Sequence, residues 1–458
     1  MKKDSLILCF ILLSSVLQAL HAVPKPVTLT DDERQLVENN NGFAFRLFRM
    51  YRDGAGLADN DLVVSPLSIT YALGMLNNGA TGETRQQISS VLGGTAGATA
   101  VVNGFCRKML DAAGTIDERA KVLVSNNIYV NADRSYHLLP DFVQAAATYY
   151  GATPETRSFS DGKTRDAINQ WAADHTDGMI SEPLKADEFD PLVISYLLNA
   201  LYFKAEWTLP FDESLTRRQP FDGGRSTADM MVQTEEYEYA ENDVCQSIRL
   251  PYGNGAWRMT LFLPRQGRSV GDLLATMSGT DWNSMAYADY TVSLSLPRFE
   301  TTTDQRLEAI LSFLGMPRAF SPSSAQFEGF AACDADPGEP IYIAFMKQMA
   351  KIRVNESGTE AAAVTIIGMK DGASPDMKYV SFTADRPFLY VISEQSTGAI
   401  LFMGQYMGQA VTDGIRPATN ATHARQQLPA LYNLAGQRLG APPAKGLYIR
   451  DGKKTLAK

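Results

Sequence analysis

The chain has 458 residues, of which 45% are hydrophobic and 20% are charged, so it can bury a large core, and length alone allows two or three domains. Its 42 basic and 51 acidic residues give a net charge of -9, with no basic block in the body. This excludes nucleic acid as an expected partner, because nucleic-acid-binding proteins cluster positive charge on one face.

The N-terminus predicts a secretory signal peptide over residues 1–22. Lys2 and Lys3 precede an apolar stretch over 6–20, and small Ala22 gives the expected cleavage position. A membrane anchor is the weaker alternative, since the stretch is shorter than the roughly 20 residues that a spanning helix needs. Removing residues 1–22 leaves an odd number of cysteines, so at least one thiol is free or pairs between molecules. These cysteines are Cys106, Cys245 and Cys333.

Three segments in the second half favour strands. Residues 341–345, 379–382 and 388–392 are rich in the β-branched and aromatic residues found in strands. A long and mostly polar segment separates the first from the second.

The start of that separating segment, residues 354–365, has the sequence V-N-E-S-G-T-E-A-A-A-V-T. Alternate side chains of an extended chain share one face. One face would therefore carry only small residues and could enter a packed core: Thr359, Ala361, Ala363 and Thr365. A helix is the alternative, because Ala and Glu are strong helix formers.

The composition changes again near the C-terminus. Residues 410–428 are polar and predict a linker, whereas 429–458 predict a small β-rich tail with strands in 431–438 and 445–454. The pair at 451–452, Asp-Gly, is suited to a tight hairpin turn. A disordered basic tail is the alternative.

Enzyme signatures are missing from the sequence. There is no G-x-S-x-G, and neither His137 nor His175 has a neighbouring nucleophile motif. Residues 160–163 match S-x-x-K but lack the partner K-T-G motif, and no paired Cys/His spacing suggests a metal site. We therefore expect no enzymatic activity, no metal and no cofactor.

Short motifs with a consistent order and spacing cover residues 30–409. They are N-D-L-V-V-S-P-L-S (60–68), A-L-G-M (72–75), G-A-T-G-E-T (79–84), N-x-W (169–171), L-N-A-L-Y-F-K-A-E-W (198–207), L-P-Y (250–252), F-L-P (262–264), L-P-R-F (296–299), V-N-E-x-G-T-E-A-A-A (354–363), D-R-P-F-L (385–389) and I-L-F-M-G (400–404). Together they resemble the serpins, metastable inhibitors of serine proteases, and the string at 354–363 resembles the serpin hinge.

The resemblance implies an α+β serpin fold in one domain over 23–409. That fold has a large central mixed sheet, two smaller sheets, eight to nine helices and an exposed reactive loop at about 356–381. The resemblance assigns the hinge to Glu356, Gly358, Thr359, Glu360, Ala361, Ala362 and Ala363. It assigns the shutter and breach, beneath and at the top of the central sheet, to Ser65, Ser68, Asn199, Trp207 and Gln348. Two positions depart from the family pattern: Gln348 replaces a frequent His, and Ala205 replaces a usual Gly.

Serpin activity depends on the hinge entering the central sheet after a target protease has cut the loop and become trapped as an acyl-enzyme. Non-inhibitory members usually carry charged, bulky or proline residues in the hinge, and the inward face of 358–365 has none. The resemblance therefore implies an inhibitor that is a monomer and binds its target protease covalently. A non-inhibitory carrier or chaperone, and a hydrolase without a recognised motif, remain alternatives.

The reactive bond is assigned by counting. In serpins the residue before the cut lies sixteen positions after the hinge Glu, here Gly372, whereas counting back from the D-R-P-F motif favours Ala373. Lys370, Met369 and Asp371 are alternatives. Small residues suit elastase-like or subtilisin-like serine proteases, Lys370 suits trypsin-like ones, and papain-like cysteine proteases are further candidates.

Two further expectations concern partners and location. Some serpins bind heparin through a basic helix, but here the stretch 107–121 mixes basic and acidic residues, so no strong heparin site is expected. The tail over 429–458 resembles C-terminal segments of exported proteins in Gram-negative bacteria. It predicts a secretion or surface-sorting segment and a bacterial protein that is extracellular, on the cell surface or in the periplasm.

Overall fold

The computed structural model describes residues 24–94, 98–134, 136–333, 341–359 and 378–408, and the backbone of four short strands between 431 and 457. These residues contain eight α-helices: α1 (Asp31–Arg49), α2 (Pro66–Asn77), α3 (Gly82–Val91), α4 (Thr99–Ala113), α5 (Pro140–Tyr150), α6 (Gly162–His175), α7 (Val270–Thr276) and α8 (Glu308–Leu314). A π-helical turn, Met50–Gly54, continues α1. Short 3-10 turns occur at Ala132–Arg134, Glu213–Leu215, Asp222–Gly224 and Pro317–Phe320.

A six-stranded mixed sheet has the order β11-β13-β14-β5-β2-β4, in which only β2 and β4 are parallel neighbours. Its strands are β2 (Ala120–Asn131), β4 (Glu155–Arg157), β5 (Ser195–Glu206), β11 (Phe299–Arg306), β13 (Lys347–Asn355) and β14 (Gly358–Thr359). We call it the central sheet.

The second large sheet has the order β1-β17-β16-β9-β8-β7-β10-β15, with β6 also paired to β7. Its strands are β1 (Leu62–Val64), β6 (Arg217–Phe221), β7 (Ser226–Glu241), β8 (Cys245–Tyr252), β9 (Trp257–Pro264), β10 (Ala288–Pro297), β15 (Tyr379–Thr383), β16 (Phe388–Glu394) and β17 (Ile400–Tyr406). The long β7 pairs with β6, β8 and β10, and so joins the strands of two smaller sheets into one network. A separate pair is formed by β3 (Tyr136–Leu138) and β12 (Ala331–Cys333).

Local sequence explains where the first two helices begin. Thr30 and Glu33 form a reciprocal capping box at the start of α1, which satisfies two backbone N–H groups that have no partner within the helix. Ser65 caps α2 and Pro66 occupies its first turn, where a missing N–H is tolerated. Nearly every residue of α2 is buried, so this helix forms part of the core beneath the central sheet.

Most buried apolar residues form one continuous core that includes both large sheets and α1, α2, α4 and α5. A second, smaller cluster lies where α6 covers the outer face of the central sheet: Tyr129, Phe159, Ile168, Leu184 and Tyr196. No helix among the described residues has the length and apolar character needed to span a membrane.

The expected α+β fold with mixed sheets and eight to nine helices is confirmed. The strands expected over 379–382 and 388–392 occur as β15 and β16. The strand expected over 341–345 is wrong, since the strand before the hinge begins only at Lys347. Residues 341–346 stay outside the central ladder because their apolar side chains are partly buried against the core, and the Ile343 N–H donates to the Ala319 carbonyl.

The four C-terminal strands form an antiparallel sheet with the order β19-β18-β20-β21: β18 (Leu431–Asn433), β19 (Arg438–Leu439), β20 (Gly446–Arg450) and β21 (Lys453–Ala457). Arg450 pairs with Lys453, which fits a two-residue connection between β20 and β21. Residues 1–22 and 410–428 lie outside the described residues, so the division into signal peptide, main domain, linker and tail stays a prediction.

Candidate functional site

Two residues, Gly358 and Thr359, lie as a short strand between β13 and β5. Val354 pairs with Thr359 on one side, and Thr359 pairs with Ala205 on the other. Among the described residues, β13 and β5 are joined in the ladder only through this two-residue strand. Below it no strand of the described residues lies between β13 and β5, and we call the space between them the slot.

The backbone at Gly358 requires glycine. Its φ is 151°, and a Cβ at this position would lie 2.1 Å from the Ala205 carbonyl oxygen. Any side chain would therefore push β14 away from β5. The bend expected at Gly358 thus coincides with a close approach of the β14 and β5 backbones. Ala205, which replaces the usual family Gly, is the β5 residue at this contact.

Thr359 is fully buried beside two stacked rings. Its Oγ1 lies 2.7 Å from the Tyr252 hydroxyl, and the Tyr252 ring stacks on Trp207 at 4.3 Å between centroids. Trp207 Nε1 donates to the Asn355 carbonyl at 2.9 Å. This pocket accepts a small hydroxyl side chain, and a larger or charged one would have to displace aromatic rings.

Glu356 anchors the turn between β13 and β14. Its side chain is 3% exposed and accepts hydrogen bonds from Arg298 Nη2 and Thr216 Oγ1, both at 2.5 Å. Burial by itself would raise the pKa of Glu356, but the hydrogen bonds from Arg298 and Thr216 outweigh it and lower that pKa below its ordinary value. The carboxylate is therefore held ionised where the hinge turns back into the sheet.

The slot below Thr359 opens into two small cavities, one on each face of the sheet, of about 40 and 50 Å³. Leu197 and Asn199 of β5 line one bank, and Lys347 and Met349 of β13 line the other. Helix α2 closes the inner cavity and α6, with Trp171, closes the outer one. The slot is thus aligned with β14, and the edges of β5 and β13 that face it have no ladder partner there among the described residues.

Gln348 fills the position where relatives carry a His, and both ends of its amide are used. Its Oε1 accepts from the Ser65 N–H at 3.2 Å, and its Nε2 donates to the Ser65 carbonyl at 2.8 Å. Ser65 Oγ in turn donates to the Leu401 carbonyl at 2.8 Å. An amide can replace an imidazole here because it offers one acceptor and two donors.

A second network lies on the opposite bank of the slot. The Ser68 hydroxyl donates to Asn199 Oδ1, Asn199 Nδ2 donates to Asn126 Oδ1 at 2.8 Å, and Asn126 Nδ2 donates to the Tyr150 carbonyl at 2.8 Å. The predicted residues beneath the sheet therefore form two pairs, Ser65 with Gln348 and Ser68 with Asn199, which the bond from the Ser68 N–H to Ser65 Oγ joins at the start of α2. Trp207 belongs to neither, because it lies at the upper end beside the hinge.

Several residues in this region were missed from the sequence. Arg298 and Thr216 hold Glu356, Tyr252 contacts Thr359, and Asn126 extends the Asn199 network. Each lies far along the chain from its partner, so no local pattern indicated the contact. Two of them do fall in or beside quoted motifs, Tyr252 in L-P-Y and Arg298 in L-P-R-F.

The remaining predicted hinge residues, Glu360, Ala361, Ala362 and Ala363, lie outside the described residues. So do all five candidates for the reactive bond: Met369, Lys370, Asp371, Gly372 and Ala373. Their assignments stay predictions.

The histidines considered for catalysis occupy structural positions. His175 stacks on Trp171 at 4.4 Å, with its Nδ1 2.7 Å from the Trp171 carbonyl, and His137 pairs with Ala332 in the β3–β12 ladder. No group of three or more potential metal ligands occurs in the described part of the chain. Cys106 and Cys245 are buried, and burial raises the pKa of the Cys245 thiol to about 11.

Comparison with known proteins gives a consistent result. The family model described as serpin (serine protease inhibitor) matches residues 38–408. The chain is 31% identical to Serpin B8 of Homo sapiens over 383 residues, covering 81% of this chain and 98% of the relative. It is 30% identical to the human leukocyte elastase inhibitor over 394 residues, covering 81% and 99%.

Among solved structures, the native state of the thermophilic serpin tengpin superposes with a TM-score of 0.74 at 27% identity, over 85% of this chain and 98% of tengpin. The family model matches residues 38–408, which is most of the chain. The structure agrees with that match in the inserted β14 and in the close contact of Gly358 with the β5 backbone. The chain therefore belongs to the serpin family.

Proposed function

We propose that this protein inhibits proteases by suicide-substrate trapping. A protease cuts the reactive loop and forms an acyl-enzyme, and the freed loop then inserts between β13 and β5 while the protease stays attached. The observation that supports this most directly is β14: the first hinge residues already lie in the sheet, and the slot continues in line with them.

The energetics allow insertion to drive the trap. A new central strand of about a dozen residues, with ladder bonds worth roughly 1 kcal/mol each, gives on the order of 10 kcal/mol before any burial. This is comparable to the roughly 5–15 kcal/mol that stabilises an ordinary protease domain. Insertion can therefore offset a substantial distortion of the attached enzyme.

The target is a serine protease that accepts a small residue before the cut, of the elastase-like or subtilisin-like kind. The bond after Gly372 or Ala373 suits such enzymes, whereas Lys370 would suit a trypsin-like enzyme. Papain-like cysteine proteases remain a further target class. A cut nearer the hinge shortens the strand that can drag the protease, so trapping should weaken from Ala373 towards Met369.

Incubation with elastase, subtilisin, trypsin and papain, followed by denaturing electrophoresis, tests the proposal. We expect a covalent complex with at least one small-pocket serine protease, and mass spectrometry of the released C-terminal fragment should place the cut at 369–373. Clean cleavage of the loop by every enzyme, with no denaturant-stable complex, would contradict the proposal.

A second candidate function is that of a carrier for a small polar ligand. The N-terminal segment and the second large sheet enclose a cavity of about 510 Å³ whose lining includes Arg249, Arg258 and Glu238. The two guanidinium groups share Asn283 Oδ1, and the Nε of each is buried without a hydrogen-bond partner. In a carrier without inhibitory function, cutting the loop would yield neither a covalent complex nor a gain in stability.

The proposal extends to partners and location. We infer a monomer that uses no cofactor and does not bind nucleic acid. Heparin affinity should be weak, because the basic residues of the 107–121 stretch are largely paired: Arg107 with Asp111, and Lys108 with Glu33. Residues 1–22 would direct secretion, and the tail would sort the protein to the surface of a Gram-negative bacterium.

A further inference from the structure

The connection between α6 and β5, residues 176–194, makes ionic contacts at the lower end of the slot. Glu188 Oε2 lies 3.0 Å from Lys347 Nζ, and Lys347 Nζ also lies 2.9 Å from Asp304 Oδ1. Lys185 of the same connection lies 3.4 Å from Asp304 Oδ2. We call these four residues the lower clasp.

The lower clasp joins the two banks of the slot. Lys185 and Glu188 immediately precede β5, whereas Asp304 lies on β11 and Lys347 begins β13. Since the described residues of β13 and β5 share no ladder here, the Glu188–Lys347 and Lys185–Asp304 pairs connect banks that the backbone leaves apart. The Asp304–Lys347 pair joins the ladder neighbours β11 and β13. Side-chain ion pairs therefore connect the two banks at a place where main-chain hydrogen bonds do not.

Aromatic contacts bridge the same place. Phe189 of the connection stacks on Tyr196 of β5 at 5.6 Å, and Tyr196 meets Phe345, just before β13, edge-on at 5.9 Å. Arg306 of β11 covers the Phe345 ring at 4.7 Å. These contacts exclude water from one side of the lower clasp.

Burial shields the Glu188–Lys347 pair more than an ordinary surface ion pair, whereas Lys185 and Asp304 are more exposed. The Lys347 side chain is 6% exposed and that of Glu188 is 19% exposed. Exposed ion pairs contribute little because water and salt screen them, whereas opening a shielded pair leaves a charge without its partner. Breaking the lower clasp thus costs free energy, and this cost opposes separation of the two banks.

We propose that the lower clasp sets the rate at which the inserted loop completes its strand, and with it the fraction of attacking protease that is trapped. This inference builds on the proposed inhibitory function. Insertion begins at Thr359, at the upper end, so the inserting chain reaches Lys347 last. A strand placed between β13 and β5 needs about 4.8 Å on each side, so the two banks must move apart and the side-chain pairs that now bridge them must break or rearrange.

The chain offers a matched control on the same two strands. Glu300 of β11 pairs with Lys351 at 2.9 Å and with Arg353 at 2.6 Å, both on β13. These pairs join neighbours that stay neighbours during insertion. Glu300→Gln therefore removes a carboxylate that, like Glu188, pairs with basic side chains of β13, but without touching the slot.

The test compares wild type, Glu188→Gln and Glu300→Gln after the loop is nicked by a small-pocket protease, with Trp171 fluorescence in stopped flow reporting insertion beneath α6. We expect Glu188→Gln to insert roughly 3- to 10-fold faster and to need fewer inhibitor molecules per protease trapped. Glu300→Gln should stay within about twofold of wild type. Because the Glu188–Lys347 pair is shielded, raising NaCl to about 1 M should change the wild-type rate much less than Glu188→Gln does.

Equal insertion rates for Glu188→Gln and Glu300→Gln would overturn the inference while leaving trapping by the wild type intact. Faster insertion by Glu188→Gln in a protein that forms no covalent complex would support the lower clasp and contradict only the inhibitory function. Lys347→Met serves as a second variant, and it should also speed insertion if it folds with the native circular dichroism spectrum. A slower rate in both variants would equally contradict the role of the lower clasp.

Discussion

The two ends of the slot are closed by different means. At the upper end, backbone closes it: Gly358 and Thr359 pair with both banks, and Glu356, Trp207 and Tyr252 fix the turn and the inward side chain. At the lower end, side chains alone close it, through Lys347 and its carboxylate partners. The backbone ladder at the upper end can be extended one residue at a time by an inserting strand. The ion pairs at the lower end must break before such a strand can pass between the two banks. On the proposed mechanism, the upper end would determine whether insertion can start, and the lower end how readily it finishes.

The largest effect should come from Thr359→Arg, which places a charge in the buried pocket beside Tyr252. Burying an unpaired guanidinium costs several kcal/mol, so the loop should be cut without inserting. We expect the inhibitor to become a substrate, with covalent complex on denaturing gels reduced at least tenfold. Thr359→Ser keeps the hydroxyl and is the matched control. Undiminished trapping by Thr359→Arg would show that Thr359 does not lead the insertion.

Nicking the loop between residues 367 and 373 should stabilise the protein. The freed segment becomes a strand, and on the order of 10 kcal/mol of new ladder bonds should raise the melting temperature by roughly 10–20 °C. Differential scanning calorimetry of intact and nicked protein measures this. A nick elsewhere, at the exposed turn 223–225, is the control and should not stabilise. A lower melting temperature after the loop nick would favour the carrier function.

Breaking the anchor of the hinge turn should have a smaller effect. In Glu356→Gln the hydrogen bonds to Arg298 lose their charge, which should reduce stability by about 1–3 kcal/mol at pH 7. Because folding lowers the pKa of Glu356 below 4.5, the stability that its ionised form contributes is complete above the ordinary pKa and is lost as pH falls through the folded value.

The difference between wild type and Glu356→Gln should accordingly shrink as pH falls below about 4. Thermal melts at pH 7, 5 and 3.5 provide the measurement. Burial acts to raise the pKa of Glu300, but Lys351 and Arg353 lower it overall, so Glu300→Gln should show the same trend and serves as a positive control. A difference that grew on acidification would mean that the protonated form of Glu356 is the stabilising one.

Deleting residues 411–458 should have the smallest effect on inhibition. The match to the serpin family ends at residue 408, so the truncated protein should fold and trap protease as the full chain does. Only secretion or surface retention should change, as fractionation of cells expressing both forms would show. Failure of the truncated protein to fold would mean that the tail stabilises the main domain.

Much of the fold could be predicted because its signals are local. The β-branched and aromatic residues of β15 and β16, the Ser-Pro start of α2 and the small inward residues of the hinge are all visible in short windows. The limit of local reasoning appears at residues 341–345. These have the composition of a strand, yet they pack against the core and leave the strand to begin at Lys347.

The sequence by itself therefore determined which residues can enter the sheet, since glycine at 358 and a small side chain at 359 are requirements of the chain itself. Tertiary structure alone decided that these two residues are already inserted, that Arg298 meets Glu356, and that Lys347 lies between Glu188 and Asp304. Those contacts join positions 43 to 159 residues apart. Sheet topology brings them together, and no short-range pattern of side chains encodes it.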